Sequence, residues 1–281
     1  MRELDERVER ATGSAPVRYE PRPGGYSTAD RFAVTLADGR RVFVKSSPLE
    51  NLAEWIRREH EVYAHLGGSF MPQLVGFDDD GERPVLAIED LSDAEWSVRW
   101  DEGRVRAVLA AVEELAASDP PPGTSTARAA HPELWSRWDV VRETPEPFLG
   151  LGLRDAAWLD RALPVLLDAA ASVGDGADLC HFDIRSDNMC FRGGRALLVD
   201  WNWCCIGDSR LDVAAWLPSL AREGGPRPWE VLGDGGPYAA MIAGVWAAVA
   251  GLPPPETAPT VREVQRRQLA VALEWIDRDL L

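Results

Sequence analysis

The apolar residues of this chain fall into short runs near the N-terminus and into helical spacing beyond Asp101. Phe32 to Leu36 and Arg41 to Val44 read as two strands around an Asp38-Gly39 turn, because an Asp-Gly pair accepts the positive φ of a tight hairpin. Leu49 to Leu66 follows with a helical stripe of Leu52, Trp55, Ile56, Val62, Tyr63 and Leu66, stopped by Gly67-Gly68. Gln73 to Phe77 and Val85 to Ile88 predict two further strands across the acidic turn Asp78-Asp79-Asp80-Gly81.

Val105, Val108, Leu109, Val112 and Leu115 then mark an amphipathic helix that ends at Asp119-Pro-Pro-Pro-Gly123. Pro120 to Ala130 reads as a mobile loop of small residues close to a substrate. A helix from about Asp155 to Ala171 is expected to bend or break at Pro164, since proline removes an intrahelical hydrogen bond. Met189 to Phe191 and Ala196 to Val199 are the arms of a hairpin turned at Gly193-Gly194. Leu211 to Leu220, Tyr238 to Ala250 and Val261 to Leu280 complete a mainly helical C-terminal half, with Pro253-Pro254-Pro255 as a linker and no internal repeat.

The hairpin lies inside the stretch that carries chemistry. His181, Asp183 and Asn188 form an H-x-D-x-x-x-x-N frame ahead of it, and the apolar run Ala196 to Val199 delivers Asp200 after it. Folding the arms together brings Asn188 and Asp200 to one end. Phosphoryl transfer needs such a set: a carboxylate, Asp183, to orient or deprotonate an attacking hydroxyl, and Asn188 with Asp200 to hold magnesium on ATP phosphates.

Composition sharpens this picture at one position. Of thirty basic residues only Lys45 is a lysine, and it closes the second predicted strand. An ammonium is a compact point charge suited to paired phosphate oxygens. Glu59 shares the inward face of the Leu49–Leu66 helix with Val62, Tyr63 and Leu66, so it needs a cationic partner, and Lys45 is the natural one. Upstream, Pro23-Gly24-Gly25-Tyr26-Ser27 is the candidate turn over the nucleotide phosphates, with Gly24, Gly25 and Ser27 letting backbone N–H groups approach. Glu89-Asp90-Leu91 follows the fourth strand as a connector whose backbone would hold an adenine edge.

Other residues of the central stretch keep two readings. His181 is expected to hydrogen-bond the backbone, Asp212 to tie the loop, and Asp208 to act as a carboxylate at a helix N-terminus. Arg185 either neutralises transition-state charge or pairs with a surface acid. Asp187 is placed facing the acceptor. Among the tryptophans, Trp203 is a candidate face for a sugar or a cation, whereas Trp216, Trp246 and Trp275 sit in helical apolar patterns and read as packing.

With 281 residues the chain can bury a full core as one large domain or two lobes. Cys180, Cys190, Cys204 and Cys205 show no C-x-x-C pairing, which predicts free thiols without a zinc site or disulfide framework. There is no apolar run of membrane-spanning length and no basic-then-apolar leader, so a soluble cytoplasmic protein is expected. The formal charge of −16 opposes nucleic acid as a partner and suits either a cationic small substrate or simple solubility.

Lys45, Glu59, the His181–Asn188 loop, Val199-Asp200-Trp201 and the following Gly207-Asp208 with Asp212 together resemble the aminoglycoside phosphotransferase family, related in fold to choline kinase and to protein kinases. The likeness spans nearly the whole chain. It implies an α+β, two-lobed protein-kinase-like fold: a β-rich N-lobe over residues 1–90 and a helical C-lobe over 91–281. It also implies ATP in the cleft, Mg-dependent transfer of the γ-phosphoryl to a small-molecule hydroxyl, a monomer or homodimer, and antibiotic resistance as one role. The expected acceptor is an aminoglycoside, an amino sugar or a similar cationic natural product. Alternatives are a metabolic kinase for choline, homoserine or a simple sugar, and a nucleotide-binding pseudokinase that regulates a partner. The chain departs from the family pattern at Phe182, where glycine often follows the loop histidine. The short segment from Asp200 to Asp212, with no D-F-G or A-P-E, leaves little room for the activation loop of a protein kinase.

Overall fold

The computed structural model describes residues 2–22, 28–96, 99–255 and 258–281. Five antiparallel strands, β1 (Pro16–Pro21), β2 (Asp30–Leu36), β3 (Arg41–Ser46), β4 (Leu74–Asp78) and β5 (Val85–Glu89), form one sheet in the order β1-β2-β3-β5-β4. Strand alternation decides what each face does. On β3, Val42 and Val44 join Val34, Leu36, Val85 and Ala87 against Leu4 and Val8 of the N-terminal helix α1 (Arg2–Thr12). Phe43 and Lys45 occupy the other positions of the strand, and Lys45 is paired in register with Leu86 of β5.

Helix α2 (Glu50–His65) buries Leu52, Ala53, Ile56, Glu59, Val62 and Tyr63. Trp55, expected in that stripe, is instead 39% exposed. The stripe is narrower than the apolar pattern, and Ala53 fills it where a small side chain allows close approach. Neither α1 nor β1 belongs to the pattern-based expectation, because α1 offers only two apolar anchors and β1 is an edge strand with no buried residue and a proline at each end. What places α1 is partly ionic: buried Arg7 pairs with Glu3, Asp78 and Asp80. Gly76 then permits a backbone approach so close that a Cβ there would sit 1.7 Å from the Ala11 carbonyl oxygen.

Beyond the sheet the chain is mainly helical. Helix α3 (Glu102–Ala116) is capped by Asp101, whose side chain accepts from Arg104 N. The helix Ala156–Ser172 begins at an Asp155 cap and runs through Pro164 without interruption, contrary to the expected break. Both Pro164 and Asp160, whose carbonyl it leaves without a helical donor, are exposed, so water can satisfy that group. Helix Gly236–Ala247 is buried almost all round and packs against Ala156–Ser172 and Val261–Asp279, as a core helix must. Trp216 and Trp275 are fully buried, in line with packing, whereas Trp246 is only half-buried.

The region from Pro120 to Ala130 is not the open loop expected from its small residues. Thr124 closes a turn onto Pro121, Ser125 O accepts from Ile206 N at 2.9 Å, and Thr126 caps a short helix, Ala127–Ala130. The sheet and the helical part share one apolar core that runs from Ile56, Phe70 and Leu86 to Trp216 and Trp275. Backbone bonds also cross between them, Leu198 N donating to Phe70 O at 2.7 Å. No helix among the described residues is long and apolar enough to cross a membrane.

Candidate active site

Two short ribbons hold the central stretch. Strands β6 (Asp178–Cys180) and β9 (Cys205–Gly207) pair antiparallel, and β7 (Met189–Arg192) with β8 (Arg195–Leu198) makes the expected hairpin. Val199 N donates to Asn188 O at 2.9 Å, so the hairpin does bring Asn188 beside the segment that carries Asp200. The cysteines in these ribbons are all free, and burial raises their pKa values.

The loop after β6 is pinned from beneath. Asp212 is buried, and its two oxygens accept from His181 N at 2.7 Å and Phe182 N at 2.6 Å. Burial pushes the Asp212 carboxyl up to about 7, with the two backbone donors acting in the opposite direction. His181 is likewise buried, which lowers its pKa to about 4 and keeps the ring neutral. Its Nε2 lies 3.0 Å from Val199 O, an acceptor only, so Nε2 carries the proton and Nδ1 accepts from Asp183 N. Asp208 accepts from Arg210 N at the start of helix Arg210–Arg222, and its other oxygen receives the Tyr238 hydroxyl.

The backbone here departs from the usual regions at two non-glycine positions, Phe182 with φ 65° and Asp200 with φ 70°. Left-handed backbone costs an L-residue roughly 1–2 kcal/mol. Phe182 is therefore more than a bulky replacement: it occupies a conformation that glycine would adopt freely. Asp200 is turned toward Lys45 by the same device.

Lys45 joins the two halves of the site. Its Nζ donates to Glu59 Oε2 at 2.6 Å and to Asp200 Oδ1 at 2.9 Å. Burial alone would lower the pKa of the ammonium, but the two carboxylates outweigh it and hold the group above its ordinary value. Burial pushes the Asp200 carboxyl up, but Lys45, aided by His181 and Arg31, pulls it below its ordinary value, so that carboxylate stays ionised. Glu59, the deepest of the three, is pushed upward by burial, with Lys45 opposing. An ammonium has three donors, so one remains for a further anion.

Asp183 stands within electrostatic reach of Asp200. Burial pushes its carboxyl up to about 6, while Arg185 pulls it down. Asn188 Nδ2 donates to Asp183 O at 3.0 Å and to Asp183 Oδ2 at 2.8 Å, which leaves the amide oxygen without a donor among the described residues. That oxygen and the second oxygen of Asp200 are hard donors in a site of net negative charge, which fits a magnesium-like divalent cation that keeps several other ligands. No cluster of three or more His, Cys, Asp or Glu side chains is placed to hold a metal among the described residues.

The remaining expected residues divide. Gly24, Gly25 and Ser27 lie outside the described residues. Glu89 pairs with Arg192, and Asp90 with Arg41 at 2.8 Å, so both side chains are committed to arginines. Leu91 O accepts from Ala94 N and Trp96 Nε1, whereas its N–H donates to no group among the described residues. Arg185 forms a fork with Asp187 and lies 3.8 Å from Asp183. Trp203 is 43% exposed.

Three residues absent from the expected set also belong here. Asn202 Nδ2 donates to Asp200 Oδ1 at 2.5 Å. Glu223 receives the Ser186 hydroxyl and Trp100 Nε1, tying the loop to the end of helix Arg210–Arg222. His131 stacks between Phe182 and Trp203. Asn202 was accessible from its place two residues after Asp200, but no local pattern marks Glu223 or His131.

A five-stranded antiparallel sheet beside a helical part, joined by a lysine that touches acids from both, defines a protein-kinase-like fold in which only a short segment separates Asp200 from the helix that carries Asp212. The sequence pattern of the phosphotransferase enzyme family matches residues 18–263, and the chain belongs to that family. Among solved structures it is similar to a thermostable mutant of aminoglycoside phosphotransferase APH(4)-Ia in ternary complex with AMP-PNP and hygromycin B. Identity there is 15%, with 99% of each chain covered and a TM-score of 0.62. It is also similar to macrolide 2'-phosphotransferase MphH from Brachybacterium faecium, at 16% identity over 91% of this chain and 99% of that one, TM-score 0.55. A choline/ethanolamine kinase family protein from Mesorhizobium loti matches at 16% identity over 92% and 93%, TM-score 0.54. No curated protein matches the chain in sequence.

Proposed function

We propose that the protein is an ATP- and magnesium-dependent kinase that transfers the γ-phosphoryl group to a hydroxyl of an aminoglycoside, an amino sugar or a similar cationic natural product. The observation that carries this reading is that the Lys45–Glu59–Asp200 cluster stands within electrostatic reach of Asp183, to which Asn188 donates. Lys45, held by Glu59, uses its spare donor on the α- and β-phosphates. Asn188 and Asp200 would hold magnesium, which neutralises phosphate charge as it develops. Asp183 orients the acceptor hydroxyl. As that oxygen bonds to the γ-phosphorus and the bond to the β–γ bridging oxygen breaks, Asp183 takes the hydroxyl proton and ADP leaves. A carboxyl pushed up to about 6 is well matched to accept that proton near neutral pH. Arg185, beside Asp183 and Asp187, supplies positive charge at the same place. The Leu91 N–H meets the adenine edge. The negative net charge supports a cationic acceptor, and a cytoplasmic location would supply the ATP.

Mg-dependent nucleotide consumption, measured against aminoglycosides, amino sugars, choline and homoserine, tests this reading with Asp183→Ala as control. One acceptor is expected to stimulate turnover in the native protein, and Asp183→Ala to lose about 10²–10⁴-fold in rate while still binding nucleotide. Undiminished turnover in Asp183→Ala would sink the assignment. Stimulation by choline or homoserine alone would move the acceptor to primary metabolism.

A further inference from the structure

The row of side chains that contains Lys45 begins with a second cation. Arg31 of β2 is paired in register with Lys45 of β3, and Lys45 with Leu86 of β5, so the three side chains share one face of the sheet. The next row on that face is Ala33, Phe43 and Ile88, two residues further along each strand or back along it. Arg31 is half-buried, and its Nη1 donates to Ala29 O at 3.2 Å, which holds the guanidinium near the start of β2.

The charge of Arg31 is felt where Lys45 is bonded. Burial pushes the Glu59 carboxyl up and Lys45 opposes it most, with Arg31 pulling in the same direction, and Arg31 also helps Lys45 to hold the Asp200 carboxyl down. Balancing those two acids is a weak account of the residue, because each already accepts a hydrogen bond from the Lys45 ammonium. An aliphatic side chain in this row would pack beside Leu86 and Phe43 without the cost of partly desolvating a charge. A guanidinium there suits an anion that arrives on this face, since it stays charged at any working pH and its planar fork matches two oxygens of one phosphate. Glu59 and Asp200 each bring a negative charge to the place where a triphosphate would dock, and the single ammonium bonded to them does not offset both.

We propose that Arg31 is a second cationic contact for the phosphate chain of the nucleotide, beside Lys45 on the same face of the sheet. The proposal rests on the phosphotransferase reading of Lys45, Asp183, Asn188 and Asp200, and adds to it a residue which that reading does not use. Lys45 meets the phosphates with the donor it has left, and the fork of Arg31 takes two oxygens of one phosphate group from the β2 side. The affinity that Arg31 supplies is therefore affinity for phosphate and not for the base.

The test uses the full chain with Mg, and AMP-PNP as the probe, with binding read by titration calorimetry over a series of salt concentrations. Arg31→Met keeps the stem and removes the charge, and is expected to weaken AMP-PNP about 10–100-fold, the worth of a charge-assisted hydrogen bond. The salt dependence of AMP-PNP binding should become shallower in that variant, since one charged contact is gone. Arg31→Lys should recover only part of the affinity, because the charge returns without the fork. The thermal midpoint of Arg31→Met should hold, as Glu59 and Asp200 keep Lys45.

AMP-PNP affinity in Arg31→Met within about twofold of the native chain would overturn the contact. So would a loss of affinity with unchanged salt dependence, which would set Arg31 against the base or the ribose. A thermal midpoint lowered as far in Arg31→Met as in Lys45→Met, with AMP-PNP bound by Arg31→Lys as by the native chain, would make Arg31 a charge partner of Glu59 and overturn it equally. Failure of the underlying reading looks different: the native chain itself would bind no AMP-PNP in the presence of Mg, and the proposal would fall with it.

Discussion

Lys45→Met is expected to destabilise the protein more than Glu59→Gln, because the two substitutions strand different charges. The side chains of Lys45 and Glu59 are 8% and 3% exposed, against 31% for Asp200. Lys45→Met leaves the buried Glu59 carboxylate without its hydrogen-bonded cation, with Arg31 acting on it more weakly, and removing one partner of a buried pair costs about 3–5 kcal/mol. Glu59→Gln leaves Lys45 bonded to Asp200 at 2.9 Å, with an amide oxygen still able to accept from Nζ. Its loss should be nearer ~1–3 kcal/mol. At ~2–4 °C per kcal/mol for a chain of this order of size, the thermal midpoint should fall by about 10 °C in the first variant and about 5 °C in the second.

The pH dependence of Lys45→Met has a definite sign. Without Lys45, burial holds the Glu59 pKa above its unfolded value of about 4.3, so the folded state binds the proton more tightly than the unfolded state. Stability is then greatest below about pH 4.3 as far as this group is concerned, and declines as pH rises through the folded pKa. Thermal or urea unfolding of the variants between pH 4 and 8 reads this directly. Lys45→Met with Glu59→Met should recover much of the stability, since apolar replacement of a buried pair is often neutral. It should recover no nucleotide affinity in calorimetry. Equal or greater loss in Glu59→Gln, or a double variant no more stable than Lys45→Met, would refute the reasoning.

Two further outcomes test the scaffold. Asp212→Asn places an NH₂ group against the His181 or Phe182 N–H, leaving a buried donor unsatisfied at about 1–3 kcal/mol, and should lower both the thermal midpoint and kcat. Gly76→Ala would drive a Cβ into the Ala11 carbonyl, so α1 must shift, and hydrogen exchange should accelerate in α1 and β4 while the Asp183 loop keeps its protection.

What the sequence determined by itself is the part of the protein where chemistry and local pattern coincide. The turn at Gly193-Gly194 and its apolar arms are local, so the hairpin beside Asn188 was readable, as was the burial of Glu59 from its helical spacing. The isolation of one lysine among arginines led to the Lys45–Glu59 pair by chemical need, and the structure has it at 2.6 Å. Pattern misled where burial depends on a distant neighbour. Trp55 has the spacing of a core residue but nothing covers it fully, and Pro164 breaks no helix because its face is wet.

Tertiary structure alone decided the rest. Helix α1 has too few apolar residues to announce itself, and it is held by Arg7 reaching acids more than seventy residues away. The contact of Lys45 with Asp200 spans 155 positions, and the meeting of His131, Phe182 and Trp203 joins three segments with no common motif. The left-handed backbone at Phe182 is invisible to any propensity, because it is imposed by Asp212 from a helix thirty residues on. Local preferences act over a few residues, whereas these features are contacts between surfaces that exist only once the chain has closed on itself.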